Sequence, residues 1–428
     1  MQLIRNYYRR LQGFSRNARL YLLFSFLSGL SFSIYYLFFN LYILSMDYDP
    51  GFLGLLVALP MGINLVVAIP AGLFGDRIGY RRSMFGGTVL MVLSTVGIAL
   101  FPSARGLVLY SLLGGLGSSL VWVVGAPFMA QNSTEEERTH LFSVQFAVNT
   151  FSGFFGYLLG GGLPALFARF LSVGPETPPA YRATLILSAG LLVVALLPLR
   201  AVRGRAKATP PEGRLRLREA FGEPRLLGKL FIPEVVMGFG AGLLIPYLNI
   251  FFKMRFHIPD ALLGTLFAGQ AIAMGLATLA GPLLAERWGK VRAVVLAELS
   301  SIPFLLLLGY VPSLSAAAVG FLARAALMNL GGPLYSAFVM ERVEERRRAA
   351  VNGLLTMSWS GSWGLSNWAS GQLQQGPGFG LIFLITCVSY LVGSGLTYLF
   401  FAKDDRPRPG SPLGIEEVEE EALDERLR

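Results

Sequence analysis

The sequence predicts an all-α membrane protein of twelve transmembrane helices, arranged as two related six-helix halves. Three observations lead there. Apolar runs recur twelve times at a length that spans a bilayer. Basic residues are confined to alternate connections between those runs. The second half of the chain also echoes the first at a nearly constant offset.

The apolar runs come first. Hydrophobic residues make up 54% of 428 positions and charged residues only 14%, against roughly 25% charged in soluble domains. A water-facing fold of this length needs far more charge to cover its surface. The abundance of Gly (50) and Phe (32) suits helices packed closely in lipid. Crossing the hydrocarbon as a helix takes about 20 apolar residues. Runs of that kind fall at 19–45, 52–75, 83–102, 105–130, 140–170 and 181–200. They resume at 228–252, 261–285, 292–311, 313–339, 349–374 and 379–402. In 140–170 and 349–374 the apolar signal is diluted by Gly, Ser, Asn and Gln. Residues 1–17 are basic and aromatic, and the run that follows is too long for a cleaved leader and lacks a small-residue cleavage pattern. They read as an interfacial segment ahead of the first span.

Orientation follows from the excess of Lys and Arg on the cytoplasmic side. With the N-terminus inside, inner segments hold 30 of the 36 basic residues and outer segments hold five: Arg105, Arg169, Arg182, Lys253 and Arg255. Arg324 alone lies near the middle of a span. Both termini are therefore expected in the cytoplasm, in a multi-pass protein of a bacterial cytoplasmic (inner) membrane.

The repeat has an offset of 209 or 210 residues. Gly29 matches Gly238, and Asn40 matches Asn249. Phe52 through Leu56 match Leu262 through Leu266, and Asp76-Arg77-Ile78-Gly79 match Glu286-Arg287-Trp288-Gly289. Constancy of the offset at equivalent inter-helix positions points to duplication. The expected organisation is a cytoplasmic segment 1–17, a six-helix bundle 18–200, a linker 201–227 rich in Arg, Pro and Gly, a second bundle 228–402, and an acidic tail 403–428.

The loop between spans 2 and 3 reads Gly72-Leu73-Phe74-Gly75-Asp76-Arg77-Ile78-Gly79-Tyr80-Arg81-Arg82. It resembles the signature of the major facilitator superfamily, close to G-x-x-x-D-R-x-G-R-R. Tyr80 departs from it, and the arginine pair falls one step later. The degenerate copy between spans 8 and 9 is Glu286 to Arg292. The resemblance covers about 18 to 402. It implies the major facilitator fold and a secondary carrier whose two bundles rock around a central site. It also implies a conformational latch built from Gly72, Asp76, Arg77, Gly79, Arg81 and Arg82, with Asp76 holding the halves together on the cytoplasmic side in the outward-open state. On physical grounds Gly72 and Gly79 suit a close helix approach and a tight turn. Asp76 stands where a carboxylate meets a helix N-terminus or an arginine. The alternative is a loop that serves topology only, which needs the arginines but neither the acid nor the glycines. In span 5, Gly156-Tyr157-Leu158-Leu159-Gly160-Gly161 is similar to the G-P-x-x-G-G of proton-driven exporters, without its proline.

Ionisable groups within spans are costly and so mark candidate sites. Arg324 in span 10 is a candidate for an anionic substrate group or for tuning a nearby acid; the alternative is a structural arginine. Glu234 in span 7 is a candidate proton carrier, or else an interfacial partner of Lys229. It shares a face with Gly238, Gly242, Ile245 and Asn249, and the duplicated face of span 1 carries Tyr36 and Asn40. The resemblance implies that spans 1, 4, 7 and 10 line a central cavity, which makes these stripes its expected walls. Span 11 places Trp359, Trp363, Ser366, Asn367 and Ser370 on one face, with Trp122 of span 4 as a possible companion. Indoles beside amides suit an amphiphilic or aromatic ligand, while helix packing is the other reading. Glu298 in span 9 reads as a peripheral charge.

Other chemistries find no support. The basic residues sit in short clusters between apolar runs, which argues against nucleic acid. One cysteine, Cys387, rules out an intramolecular disulfide. His140 and His257 are far apart with no ligand cluster, so no metal, cofactor or hydrolase triad is expected. Gly222 through Lys229 lacks the spacing of a phosphate loop, which argues against a nucleotide-driven pump. We therefore expect a non-enzymatic, monomeric carrier that works with a small-molecule substrate, a coupling proton and membrane lipids. Export of amphiphilic compounds leads. Uptake of a sugar or organic anion, lipid flipping, and a non-transporting receptor or scaffold are the alternatives.

Overall fold

A computed structural model describes residues 13–203, 223–376 and 378–403. Residues 1–12, 204–222 and 404–428, which make up most of the expected N-terminal segment, linker and tail, lie outside the described residues. Twelve long helices account for most of the rest, and no strand occurs among the described residues. They are α1 (Arg16–Ser45), α2 (Pro50–Ile78), α3 (Tyr80–Leu100), α4 (Ala104–Gln131), α5 (Glu135–Leu171) and α6 (Pro178–Ala201). In the second half, α7 runs Pro224–Phe256 with a break inside it. It is followed by α8 (Asp260–Trp288), α9 (Lys290–Tyr310), α10 (Leu314–Arg342), α11 (Glu345–Gln375) and α12 (Gly378–Phe401). Each coincides with one of the twelve apolar runs to within a few residues; eight contain the whole run, while the expected runs 83–102, 292–311, 313–339 and 379–402 overstep their helices by one or two residues.

Eleven of these helices are long and apolar enough to cross a membrane; α11 falls short. The protein is a multi-pass membrane protein. Helix starts are set by local chemistry. Ser15, Asp49, Ser103, Thr134 and Ser313 each accept a bond from the first-turn backbone, which satisfies donors the helix leaves orphaned. At Thr134 the bond is reciprocal, since Glu137 accepts from the Thr134 N–H. Between α2 and α3 the turn is a single residue, Gly79 at φ 93°. Its repeat counterpart Gly289, at φ 86°, joins α8 to α9. A side chain at either would be strained.

Packing repeats between the halves. In the first, α1 packs on α5 and α6, α2 on α4, and α3 on α4 and α6. In the second, α7 packs on α11 and α12, α8 on α10, and α9 on α10 and α12. The halves meet along α2–α11 and α5–α8. Helices alternate in direction, so one end of the molecule carries the turns at Gly79, Gly289 and Val343. We call it the linker end, because Arg203 and Glu223 flank the linker there. The other, far end carries Met46 to Asp49, Ser172 to Thr177 and His257 to Pro259.

Candidate functional site

The seam between the halves is tightest toward the far end. Pro246 has no N–H and interrupts α7, leaving a short 3-10 turn over Ile245–Tyr247. Carbonyls beside the break are turned toward further donors in a water-poor interior. Helix α1 supplies them: Asn40 Nδ2 donates to the Pro246 carbonyl at 2.6 Å and to Asn249 Oδ1 at 3.1 Å, and Tyr36 donates to the Ile245 carbonyl at 3.3 Å. In return, Asn249 Nδ2 donates to the Leu37 carbonyl at 2.8 Å. Leu37 and Pro246 are themselves repeat counterparts, so the two asparagines make the same bond across a local two-fold. Both are buried. Asn40, Asn249 and Tyr36 therefore lie on the closed seam.

Glycines carry the two flanking crossings. A Cβ on Gly54 of α2 would sit 2.8 Å from Gly371 Cα of α11, and one on Gly161 of α5 would sit 2.9 Å from Gly264 Cα of α8. These pairs are also related by the repeat offset. Only backbone-to-backbone contact fits there.

Charge closes the far end. Lys253 Nζ lies 2.5 Å from Glu176 Oε1 and 2.9 Å from Asp260 Oδ1, and Tyr181 donates to Asp260 at 3.3 Å. Glu176 and Tyr181 belong to the first half, Lys253 and Asp260 to the second. Gln375 also donates to Asp49 across the α2–α11 crossing. The sequence signalled none of this as a cluster, because its members flank connections far apart in the chain.

Toward the linker end the halves part. A cavity of about 950 Å³ opens between α5 and α8, bounded by Phe142, Phe146, Leu276, Leu279 and Pro333. On the other side a cavity of about 570 Å³ lies among α1, α2, α4 and α11 and reaches α3 and α6. Apolar walls from Phe32, Tyr35, Met61 and Trp122 face Asn64, Ser94, Ser111 and Ser118, and Thr356, Met357 and Ser360 of α11 close it. Trp122 is 65% exposed and meets Phe32 edge-on at 6.5 Å.

The expected site residues are divided by this geometry. Trp122 lines the cavity. Trp359 and Trp363 pack on each other at 5.6 Å, and Trp359 lies against Gly238 of α7. The hydroxyls beside them serve the α7–α11 contact: Ser362 donates to the Val235 carbonyl at 2.6 Å and Ser370 to the Leu243 carbonyl at 2.5 Å. Asn367 is fully buried; its carbonyl accepts from Tyr247, and its side-chain amide has no partner. Here Trp122 and the indoles of α11 make no ring contact among the described residues.

Arg324 is 2% exposed. Its Nη2 donates to the Tyr390 hydroxyl at 2.5 Å, its guanidinium sits 5.7 Å from that ring, and its Nε has no partner. Tyr36 of α1 lies within its electrostatic reach. It forms no ion pair among the described residues, with Glu234 or any other acid. Glu234 is half-buried and forms none with Lys229. Its charged neighbour is instead Glu298. Far from being peripheral, Glu298 is half-buried, accepts from Ser394 at 2.7 Å, and lies close enough to Glu234 for the two carboxylates to repel. Contact of α9 with α12 brings it inward, and sequence periodicity does not report that.

At the linker end, Asp76 accepts from Tyr80 at 2.9 Å. Arg81 donates to the Leu199 and Arg200 carbonyls at 3.1 and 2.8 Å, and so caps the C-terminus of α6. Arg77 and Arg82 are exposed. Gly79 makes the expected turn. The close approach belongs to Gly75, where a Cβ would meet Val124 at 2.5 Å. At Gly72 the distance to Val123 is an ordinary 3.5 Å.

Comparison with known proteins agrees with this architecture. The family model described as Major Facilitator Superfamily matches residues 21–365 and 230–425. The chain is 24% identical over 347 residues to YcaD of Salmonella arizonae, an uncharacterized MFS-type transporter, covering 77% of this chain and 81% of that one. A bacterial homolog of the human lysosomal transporter Spinster, solved inward-facing and unoccupied, superposes with a TM-score of 0.73 at 18% identity, covering 92% of this chain and 98% of that one. The nucleoside transporter NupG gives 0.73 at 13% identity, with 91% and 99% covered. With the family model matching most of the sequence, the chain belongs to the major facilitator superfamily.

Proposed function

We propose that this protein is a secondary transporter of a bacterial cytoplasmic membrane that moves a small solute by alternating access, with both termini in the cytoplasm. The twelve helices act as two six-helix bundles, 18–200 and 228–402, joined by the linker 201–227. Counting α11 as a span fits its surroundings, because its serines and Asn367 are turned into contact with α7 rather than toward lipid. The observation that carries the reading is the uneven seam. It is bonded through Asn40, Asn249 and the Gly54–Gly371 and Gly161–Gly264 crossings at one end, and it parts into cavities at the other. That is the form of a carrier open to the cytoplasm, the state in which a latch at Asp76 stands released. Its hydrogen bond to Tyr80, within the same half, is consistent with this.

The mainly apolar cavity favours proton-coupled export of amphiphilic compounds. Glu234 and Glu298 are the acids best placed to carry the proton, since two neighbouring half-buried carboxylates hold their charges at mutual cost. A second reading, transport of an organic anion, rests on Arg324: a buried guanidinium without an acid is a ready partner for one. Proteoliposome flux decides between them. Export predicts substrate-driven proton movement that is lost in Glu234→Gln or Glu298→Gln. Wild-type coupling in both variants removes the carrier role. Flux of carboxylates alone, abolished by Arg324→Ala, would install the second reading instead.

A further inference from the structure

We infer that the cavity of about 570 Å³ among α1, α2, α4 and α11 binds an uncharged, largely apolar molecule that ends in a hydrogen-bond donor, such as a long-chain alcohol or a phenol. As the substrate class of the proposed carrier this rests on the transport reading; as a binding site it stands without it.

Three features of the pocket select that class. Its size lies in the range of drug-sized ligand sites. No acidic or basic side chain lines it, so an ion entering would shed its hydration without gaining a counter-charge. Several of its hydroxyls have already spent their hydrogen and present acceptors to the pocket. Ser94 spends its hydrogen on the Tyr110 carbonyl at 2.6 Å, Ser118 on Gly115 at 3.0 Å and Ser31 on Ser188 at 2.7 Å. Their oxygens keep free lone pairs. Ser119 lies within bonding reach of both Asn64 Oδ1 and the Gly115 carbonyl, with one hydrogen to share. Ser111 decides the matter. It is 3% exposed, lines the cavity, and its hydroxyl has no partner. A buried hydroxyl left unbonded is costly, and a ligand hydroxyl would complete it while donating to a neighbouring acceptor.

The test uses the full chain in nanodiscs and a medium-chain alcohol bearing a diazirine near its hydroxyl. Its carboxylate and methyl-ether analogues serve as matched probes, and labelled residues are mapped by mass spectrometry. We expect the alcohol to label α4 between Ser111 and Trp122 and α2 around Asn64, with both analogues labelling weakly. Ser111→Val should reduce labelling roughly three- to tenfold, the loss of one hydrogen bond. Asn64→Leu gives an independent second variant, and each is compared at equal melting temperature and monodispersity. Displacement by a monoacylglycerol would identify a membrane lipid as the source, and displacement by a water-soluble phenol a free solute. Either supports the pocket. Displacement by neither, labelling elsewhere, or equal labelling by alcohol and ether overturns the inference. Labelling that persists where proteoliposomes show no flux would instead sink only the transport reading.

Discussion

Replacing Lys253 by methionine should open the far end of the protein. Lys253 Nζ is held by Asp260 at 2.9 Å, Glu176 at 2.5 Å and the Ile258 carbonyl at 3.0 Å, with its side chain 11% exposed. Glu176 is 55% exposed, so that pair is worth only about 0–1 kcal/mol. Asp260 is different. Its side chain is 4% exposed, its Oδ2 has no partner, and without the lysine only the 3.3 Å bond from Tyr181 remains. Leaving one member of a buried pair costs about 3–5 kcal/mol. Separation of the far end admits water to the carboxylate and relieves that cost, so the substitution penalises the closed state alone. Even 3 kcal/mol corresponds to about a hundredfold shift in population. Spin labels at Val173→Cys and Pro312→Cys, in a Cys387→Ser background, report the far-end separation by pulsed electron resonance. Lys253→Met should lengthen the main distance, and Lys253→Met with Asp260→Asn should restore the short one, since the amide carries no charge to strand. An unchanged distance in the single variant refutes the reasoning. So would a double variant as open as the single one.

Three further outcomes follow from the same geometry. Asp76→Asn should insert and melt like wild type, because Asp76 has one local bond to Tyr80, yet slow transport severalfold; wild-type flux would remove the latch role. Gly264→Val places a branched side chain where a Cβ already meets the Tyr157 carbonyl at 2.5 Å, and neither backbone can yield. The spin-label pair should therefore report an open far end, and a wild-type distance would contradict the crossing. Arg324→Met should raise the melting temperature in detergent, since a buried unpaired arginine costs roughly 2.5–3.5 kcal/mol in a membrane interior. A melting temperature lowered by several degrees would show that the Tyr390 bond outweighs that cost.

Much of the architecture was legible in the sequence. All twelve expected runs coincide with helices to within a few residues, because bilayer thickness fixes helix length and the backbone must bond within itself. Of the repeat matches, Asn40 and Asn249 meet each other at the seam, and Gly54 and Gly264 take equivalent places in its two flanking crossings. The candidate site was less legible. Helical spacing places Trp359, Trp363, Ser366, Asn367 and Ser370 on one face, but a neighbouring helix fills that face as readily as a ligand does, and α7 is the neighbour here. Ser111 and Asn64 are isolated polar residues in apolar runs, and helical spacing does not single them out. They matter because α2 and α4 diverge around them. Glu298 reads as peripheral from its place in span 9, whereas its surroundings come from Ser394, 96 residues away.

The sequence by itself determined what each segment is: twelve helices, a duplicated plan, a tight glycine turn after Asp76, and family membership. Those properties are set by composition, periodicity and local backbone chemistry, all carried within a few turns of chain. Tertiary structure alone decided which end of the seam is closed, that Lys253 and Asp260 join Glu176 and Tyr181, that Arg324 faces Tyr390 without an acid, and that the cavity lies beside Ser111. Each of these depends on contacts between helices far apart in sequence, where a shift of one helical position changes the partner and leaves the local pattern intact.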